Sequence, residues 1–154
     1  MEALGNVRDG RDSVIAVLGD MAQRNGDPDV ARAAVETLGD THDARALALV
    51  AGIARSPGDV DVRRKAIETY SESARTDSAL ALLKRIVATD ANEEVYGAAL
   101  EALENMEGGA GIPVLIDIAR SHPNPDVRAD ALRRLAESDD PRAQRVFDRT
   151  LRRP

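Results

Sequence analysis

Apolar residues along this chain follow a pattern that returns about every 32 residues. In each copy a valine is followed by apolar residues four, five and eight places later, and the residue four places later is always alanine. The valines are Val30, Val62, Val95 and Val127, so the steps are 32, 33 and 32 residues. At about 100° per residue these places fall on one side of an α-helix, and the two-residue period of a strand does not fit them. The pattern predicts four amphipathic helices, with Tyr70 in the core place that leucine holds elsewhere.

Each of these helices opens with a residue that can cap its amino terminus. Asp27, Asp59, Asn92 and Asn124 begin the four copies, and each is followed two places later by an acidic residue. The capping oxygen accepts a backbone N–H that the first helical turn leaves unpaired, and the acidic residue suits the positive end of the helix dipole. These capping residues therefore predict where each of the four helices begins.

A second apolar helix precedes each valine in a constant register. Apolar residues stand twelve and nine places before the valines, as Leu18, Val50, Leu83 and Leu115, and as Met21, Ile53, Ile86 and Ile118. The unit is thus a hairpin of two helices joined by a tight turn. Neither helix can bury its apolar side alone, so stacked neighbouring hairpins must supply the core.

The chain is predicted to be one domain, residues 1–154, made of four hairpins and a terminal helix. The hairpins are expected at about residues 12–40, 43–74, 77–106 and 110–138, and the terminal helix at about 141–152 as a cap. The glycines of residues 107–111 predict a flexible linker. Residues 2–5 read like the end of a preceding second helix, which suggests that the chain begins inside a repeat.

The second helix carries a motif with a family resemblance. Asp59-Val-Asp-Val-Arg-Arg-Lys-Ala-Ile-Glu-Thr-Tyr70 and Asn124-Pro-Asp-Val-Arg-Ala-Asp-Ala-Leu-Arg-Arg-Leu135 resemble the HEAT-like repeat family, in particular its short bilin-lyase-type repeats, over residues 12–138. The resemblance implies an all-α fold, a right-handed α–α superhelix with the second helices on its concave surface. It also implies an adaptor surface more often than nucleic-acid or chromophore handling. Arg63 and Arg128 match a family arginine that pairs with acidic residues at neighbouring turns.

Composition narrows the classes of function. The chain has 154 residues, a net charge of −6 and a pI near 5.0, which oppose general phosphate binding. The absence of cysteine excludes disulfides and thiolate metal sites. No apolar run approaches the ~18 residues of a membrane span, and no signal peptide is recognisable, so the default expectation is a cytoplasmic protein.

Nothing in the sequence predicts a cofactor, a metal site or catalysis. His42 and His122 stand in separate turns, without the three or four converging ligands that a metal needs. No nucleophile and base form a recognisable set. We therefore expect a protein that is not an enzyme.

The candidate functional surface is the polar side of the second helices. Glu36, Glu68 and Glu101 are expected to form a row of carboxylates beside the basic pair Arg32 and Arg64. One interpretation is a recognition surface for a basic or mixed-charge peptide. The other is a solvent-exposed face with pairs such as Arg32–Glu36 and Arg64–Glu68, each contributing a few tenths of a kcal/mol. The candidate partner-binding residues are Arg32, Glu36, Arg64, Glu68, Glu72, Glu101 and Arg133.

Three functions remain open at this stage. The first is a scaffold, adaptor or regulatory module that binds an unidentified protein or peptide on the second-helix surface. The second is a nucleic-acid-binding array, which would need a basic groove, whereas the basic residues here are scattered except for Arg149, Arg152 and Arg153. The third is a structural segment that self-associates through the ends of its stack. Tyr96 is expected to pack at the repeat seam, with a groove anchor as the alternative.

Overall fold

A computed structural model describes residues 2–24 and 26–151, and the side chains of residues 10–24 and 26–147. Within these ranges the chain forms α-helices joined by short turns, and no strand is present. The predicted all-α class is confirmed. The chain divides into two compact units, residues 1–74 and 75–154, which are described separately. The prediction of one domain over residues 1–154, and of a right-handed superhelical path, stays a prediction.

The first unit consists of two helical hairpins. Its helices are α1 (Glu2–Arg24), α2 (Pro28–Asp40), α3 (Ala44–Ala54) and α4 (Val60–Ser73). α1 packs on α2 and α3 packs on α4, while α2 also packs on both α3 and α4. The aliphatic side chains between them are fully buried, among them Val35, Leu38, Val50 and Ile67. Burial of each large side chain contributes roughly 1.5–3 kcal/mol, so these contacts hold the unit together.

The second unit repeats the hairpin twice and adds a terminal helix. Its helices are α5 (Thr76–Thr89), α6 (Glu93–Asn105), α7 (Ile112–Ser121), α8 (Pro125–Glu137) and α9 (Pro141–Leu151). α6 packs on its hairpin partner α5 and on α7 and α8, and α9 packs against α7 and α8. Leu83, Leu100, Leu103, Leu115 and Leu135 form its core. The terminal helix lies against the last hairpin, as a cap does.

The predicted amino-terminal caps are confirmed. Asp27 Oδ1 accepts the Asp29 N–H at 2.9 Å, and Asp59 Oδ1 accepts the Asp61 N–H at 3.0 Å. Asn92 and Asn124 cap α6 and α8 in the same way. These bonds are local, so the sequence alone determines them.

One prediction about the chain path is wrong. α1 runs without interruption from Glu2, so residues 2–11 extend the first helix and do not end a separate one. Gly5 and Gly10 each cost about 1 kcal/mol of helix propensity but keep their N–H groups, so they do not break the helix. The glycine linker predicted at residues 107–111 contains a short 3-10 turn, Glu107–Gly109, in which Gly108 and Gly109 adopt φ of 61° and 64°. The flexibility of this linker stays a prediction.

Five residues placed in the core by the repeat pattern are only partly buried. Leu18, Val30 and Tyr70 are half-buried, and Met21 and Leu132 are 37% and 39% exposed. In the described part of the chain, no hairpin precedes α1 to cover Met21, and α9 leaves Leu132 exposed on α8. The repeat pattern shows which face of a helix is apolar, but that face is buried only where a neighbouring helix packs on it.

Candidate partner-binding surface

The second helices of the first unit, α2 and α4, carry a continuous set of ion pairs. Arg32 pairs with Asp29 and reaches Asp61 Oδ2 of α4 at 4.0 Å. Arg64 Nη1 lies 3.6 Å from Asp61 Oδ1. Asp61 therefore receives an arginine from each helix. The predicted Arg32–Glu36 pair is replaced, because Asp29 and Asp61 lie closer to the guanidinium than Glu36 does.

Lys65 organises the rest of this surface. Its Nζ lies 3.9 Å from Glu36 Oε1 and 3.3 Å from Glu68 Oε2. Glu36 and Glu68 are thus brought together as predicted, but the row of carboxylates is bridged by an ammonium group. Glu72 lies near the end of α4 and is exposed. Lys65 is not among the candidate residues chosen from the sequence. Its position three residues before Glu68 could have indicated an ion pair, because residues three apart are neighbours on a helix surface.

In the second unit the charged side chains of α6 and α8 are arranged differently. Arg133 pairs with Asp130 of its own helix. Arg134 Nη1 donates to Glu104 Oε2 of α6 at 2.8 Å, and its Nη2 donates to the Gly97 carbonyl at 3.4 Å. Sequence reasoning missed Arg134, because a pair between two helices leaves no spacing signal in either one.

Glu101 of α6 is exposed and forms no ion pair with the residues that the structure describes. Gly97 lies one turn earlier, and a Cβ placed there would meet no atom within 4 Å. Gly97 holds the place in the repeat that Arg32 holds on α2 and Arg64 holds on α4. The surface beside Glu101 therefore lacks the arginine side chain that the other two helices carry. An approaching cationic group would find this carboxylate accessible and without a competing internal partner.

Tyr96 does not contribute to this open surface. Its side chain is only 6% exposed, which agrees with packing at the repeat seam. Burial raises the pKa of the Tyr96 phenol, and the nearby carboxylates of Glu93, Asp126 and Asp130 raise the pKa further. Two of those carboxylates belong to α8, so Tyr96 lies where α6 meets α8.

The family arginines bind turns rather than the open surface. Arg63 donates from Nε and Nη2 to the Ala54 carbonyl at the end of α3, both at 3.3 Å. Arg128 Nη1 donates to the His122 and Pro123 carbonyls at 2.7 and 3.1 Å. Each arginine satisfies carbonyl groups that a helix end leaves unpaired. These two residues therefore tie the second helix of each hairpin to the end of the first helix or to the turn that joins the two.

The histidines also have structural roles. His122 Nε2 lies 3.1 Å from the Val87 carbonyl, and Nδ1 accepts the Asn124 N–H at 3.2 Å. His42 occupies a turn at φ of 51°. Within the described residues, no three His, Asp or Glu side chains converge as metal ligands would.

A cleft of about 570 Å³ lies in the first unit, between the turn after α1 and the turn after α3. Its ionisable lining residues are Asp59, which caps α4, and Arg63, which binds the Ala54 carbonyl. Both groups are engaged by the backbone, so the cleft offers no recognisable acid and base pair.

Two further observations concern the chain as a whole. No helix in the described part of the chain combines the length and the apolar character needed to cross a membrane. Of the basic cluster noted near the carboxyl terminus, Arg152 and Arg153 and the side chain of Arg149 lie outside the described residues.

Comparison with known proteins gives one match. A family model described as HEAT repeats matches residues 15–104, which is more than half of the 154 residues. No curated protein and no solved structure matches the chain.

Proposed function

Because this chain belongs to the HEAT repeat family, we propose that it is a protein-interaction module whose second helices bind a basic or mixed-charge segment of a partner. Repeats of this family commonly mediate binding between proteins. The module acts by binding and not by catalysis. The proposal includes the cytoplasmic location expected from the sequence.

The observation that carries the proposal is the unequal distribution of charge between the two helices of each hairpin. The second helices α2, α4, α6 and α8 hold thirteen acidic and seven basic residues, whereas the first helices α1, α3, α5 and α7 hold six acidic and seven basic residues. Two of the seven basic residues, Arg63 and Arg128, are engaged by turn carbonyls. Negative charge is therefore concentrated on one class of helix, which favours a cationic partner.

The two units support this binding in different ways. On α2 and α4, Arg32, Arg64 and Lys65 already bridge carboxylates, so a partner would have to exchange existing pairs. On α6 the Glu101 carboxylate is accessible beside the open position at Gly97. Binding there requires no internal pair to break. Glu101 is therefore the residue that we expect to contribute most.

The test compares two charge reversals of equal size. Glu101→Arg places the new charge on α6, and Asp117→Arg places it on α7, where Asp117 is also exposed. The probe is a labelled decapeptide of alternating lysine and serine, titrated by fluorescence anisotropy at low salt. Glu101→Arg should weaken its binding by about five- to tenfold, because a like charge now faces the peptide. Asp117→Arg should leave binding within about twofold, since it lies outside the surface.

Equal loss in the two variants would show that only the net charge attracts the peptide, and would remove the surface from the proposal. Circular dichroism must show unchanged helicity in both variants. The natural partner can then be sought by affinity capture, with Glu101→Arg as the negative bait and Asp117→Arg as the positive one.

A further inference from the structure

The cleft of about 570 Å³ in the first unit, called the turn cleft below, lies where the two hairpins meet at their turns. Its apolar walls include Ala31 and Val62 of the second helices and Ile53 of α3. Gly26 and Gly52 also line it, and a Cβ placed on either would meet no atom within 4 Å. The turn cleft is therefore open between its walls, and its volume falls within the range of about 300–1,000 Å³ that is usual for ligand pockets.

The turn cleft lies at a repeat position that is small in one copy alone. The residue after the repeat valine is Ala31, Arg63, Tyr96 and Arg128 in the four copies. Arg63 and Tyr96 are 7% and 6% exposed, and Arg128 is half-buried. In three hairpins the chain thus covers this place with a long side chain of its own. In the first hairpin it has only the methyl group of Ala31, which lines the turn cleft.

The second unit shows which group is accommodated at this place. Tyr96 is buried where α6 meets α8, and Ala31 holds the equivalent place between α2 and α4. Pro57 also lines the turn cleft, and its equivalent in the second unit is His122. The His122 ring reaches back to the preceding hairpin, where Nε2 lies 3.1 Å from the Val87 carbonyl. Two rings therefore pack at the hairpin junction of the second unit, and the first unit has neither.

We infer that the turn cleft binds an aromatic side chain of a partner protein, which supplies from outside the ring that Tyr96 supplies in the second unit. The site lies at the turns and goes beyond the charged surface proposed above. The phenol of tyrosine is the side chain that the repeat comparison favours most directly.

The buried guanidinium of Arg63 distinguishes an aromatic occupant from a cationic one. Arg63 lines the turn cleft and donates from Nε and Nη2 to the Ala54 carbonyl, both at 3.3 Å. These hydrogen bonds use the edge of the guanidinium plane, whereas an aromatic ring packs on its face, where the negative charge of the ring attracts the cation. A partner arginine would instead meet a like charge. The turn cleft is therefore electrostatically complementary to a ring.

The test uses p-cresol, which is the uncharged side chain of tyrosine and does not depend on the acidic surface. Saturation-transfer NMR should show saturable binding with a Kd of about 0.5–5 mM, as expected for so small a ligand. Ala31→Tyr fills the turn cleft from its wall, and Gly52→Phe fills it from α3. Each should weaken binding at least tenfold. Ala136→Tyr adds a ring to an exposed place on α8 and should bind p-cresol like wild type.

Circular dichroism must show unchanged helicity in the blocking variants. If Ala31→Tyr folds poorly, Gly52→Phe carries the test, because its new side chain enters open space. No binding of p-cresol to wild type would overturn the inference. An undiminished affinity in the folded blocking variants, or an equal loss in Ala136→Tyr, would overturn it as well.

Peptides then identify the side chain that the turn cleft selects. Three lysine–serine decapeptides carry serine, tyrosine or arginine at the sixth position. The tyrosine peptide should bind wild type about five- to tenfold more tightly than the serine peptide of equal charge. Gly52→Phe should remove this advantage, whereas Glu101→Arg should weaken both peptides alike and leave it.

An arginine peptide whose gain exceeds that of the tyrosine peptide, and is lost in Gly52→Phe, would overturn the aromatic assignment. Binding of p-cresol to wild type without binding of any peptide would support the turn cleft and contradict only the proposed charged surface. The two proposals can therefore fail separately.

Discussion

At the scale of single residues, one glycine controls how closely α2 and α4 approach. A Cβ added to Gly39 would lie 2.2 Å from Thr69 Cγ2 and 3.2 Å from Ser73 Oγ. Thr69 is 5% exposed, so it has little freedom to move. The missing side chain at Gly39 therefore sets the spacing of the two helices that carry the first unit's charged surface.

Gly39→Ala should lower the free energy of unfolding by about 1–3 kcal/mol, because overpacking outweighs the gain in helix propensity of up to ~1 kcal/mol. Thr69→Ser removes the obstructing methyl group, so the double variant should recover much of the loss. Urea unfolding of the two single variants and the double variant measures this coupling. Gly52→Ala is the control, because no atom lies within 4 Å of its Cβ position. A Gly39→Ala protein as stable as Gly52→Ala would contradict the close approach.

At the scale of elements, α9 is held to the last hairpin by a charged clamp at its first turn. Arg142 Nη2 donates to the Gly108 and Gly109 carbonyls at 3.0 and 2.9 Å, and its guanidinium also pairs with Asp140. A Cβ at Gly109 would lie 2.3 Å from Arg142 Nη2. The segment that suggested a flexible linker thus supplies the two carbonyl groups that the clamp binds.

The clamp should make stability depend on acid pH. Hydrogen bonds from the Arg142 side chain and then its backbone N–H lower the pKa of Asp140 from 3.8 to about 2. Because the folded pKa lies below the ordinary value, the stabilisation is present above about pH 4 and is lost as pH falls towards 2. The difference in unfolding free energy between wild type and Asp140→Asn should shrink over that interval.

Urea titrations at pH 2.5, 3, 4 and 6 measure this difference. In an Arg142→Met background the effect of Asp140→Asn should lose most of its pH dependence, since the main cause of the shift is gone. A pH profile that is the same in both backgrounds would place the effect elsewhere in the chain.

At the scale of the whole molecule, charge decides between the classes of partner. The net charge is −6, and the second helices carry most of the excess acid. A surface that binds nucleic acid needs clustered basic residues to displace counterions from the phosphates. In the described residues, Arg32, Arg64 and Lys65 of α2 and α4 are instead bridged to carboxylates.

We therefore expect no retention of duplex or single-stranded DNA in a gel shift at about 50 mM salt, where electrostatic binding is strongest. The lysine–serine decapeptide should bind under the same conditions and be released as salt rises to about 300 mM. A saturable DNA shift would reverse the ranking of the two partner classes.

The sequence by itself determined the features that depend on near neighbours in the chain. Most of the helix bounds and the four capping residues follow from periodicity and turn chemistry, which act within a few residues. The family was indicated by the resemblance of the second-helix motif. The repeated register also predicted which residues share a face, so Glu36 and Glu68 were correctly placed on one surface. These are local rules, and they need no knowledge of what lies across the interface.

Only the tertiary structure decided which side chains meet across helices. The ion pairs of Lys65 with Glu36 and of Arg134 with Glu104 each join residues about thirty places apart. Burial was decided in the same way: Met21 and Ile53 hold equivalent places in the repeat, but Met21 is 37% exposed and Ile53 is 3% exposed, because within the residues that the structure describes only Ile53 has a hairpin packed on its side. An ion pair and a buried face each need two partners. The sequence pattern of one helix shows which of its residues share a face, but not which residues of another helix will contact them.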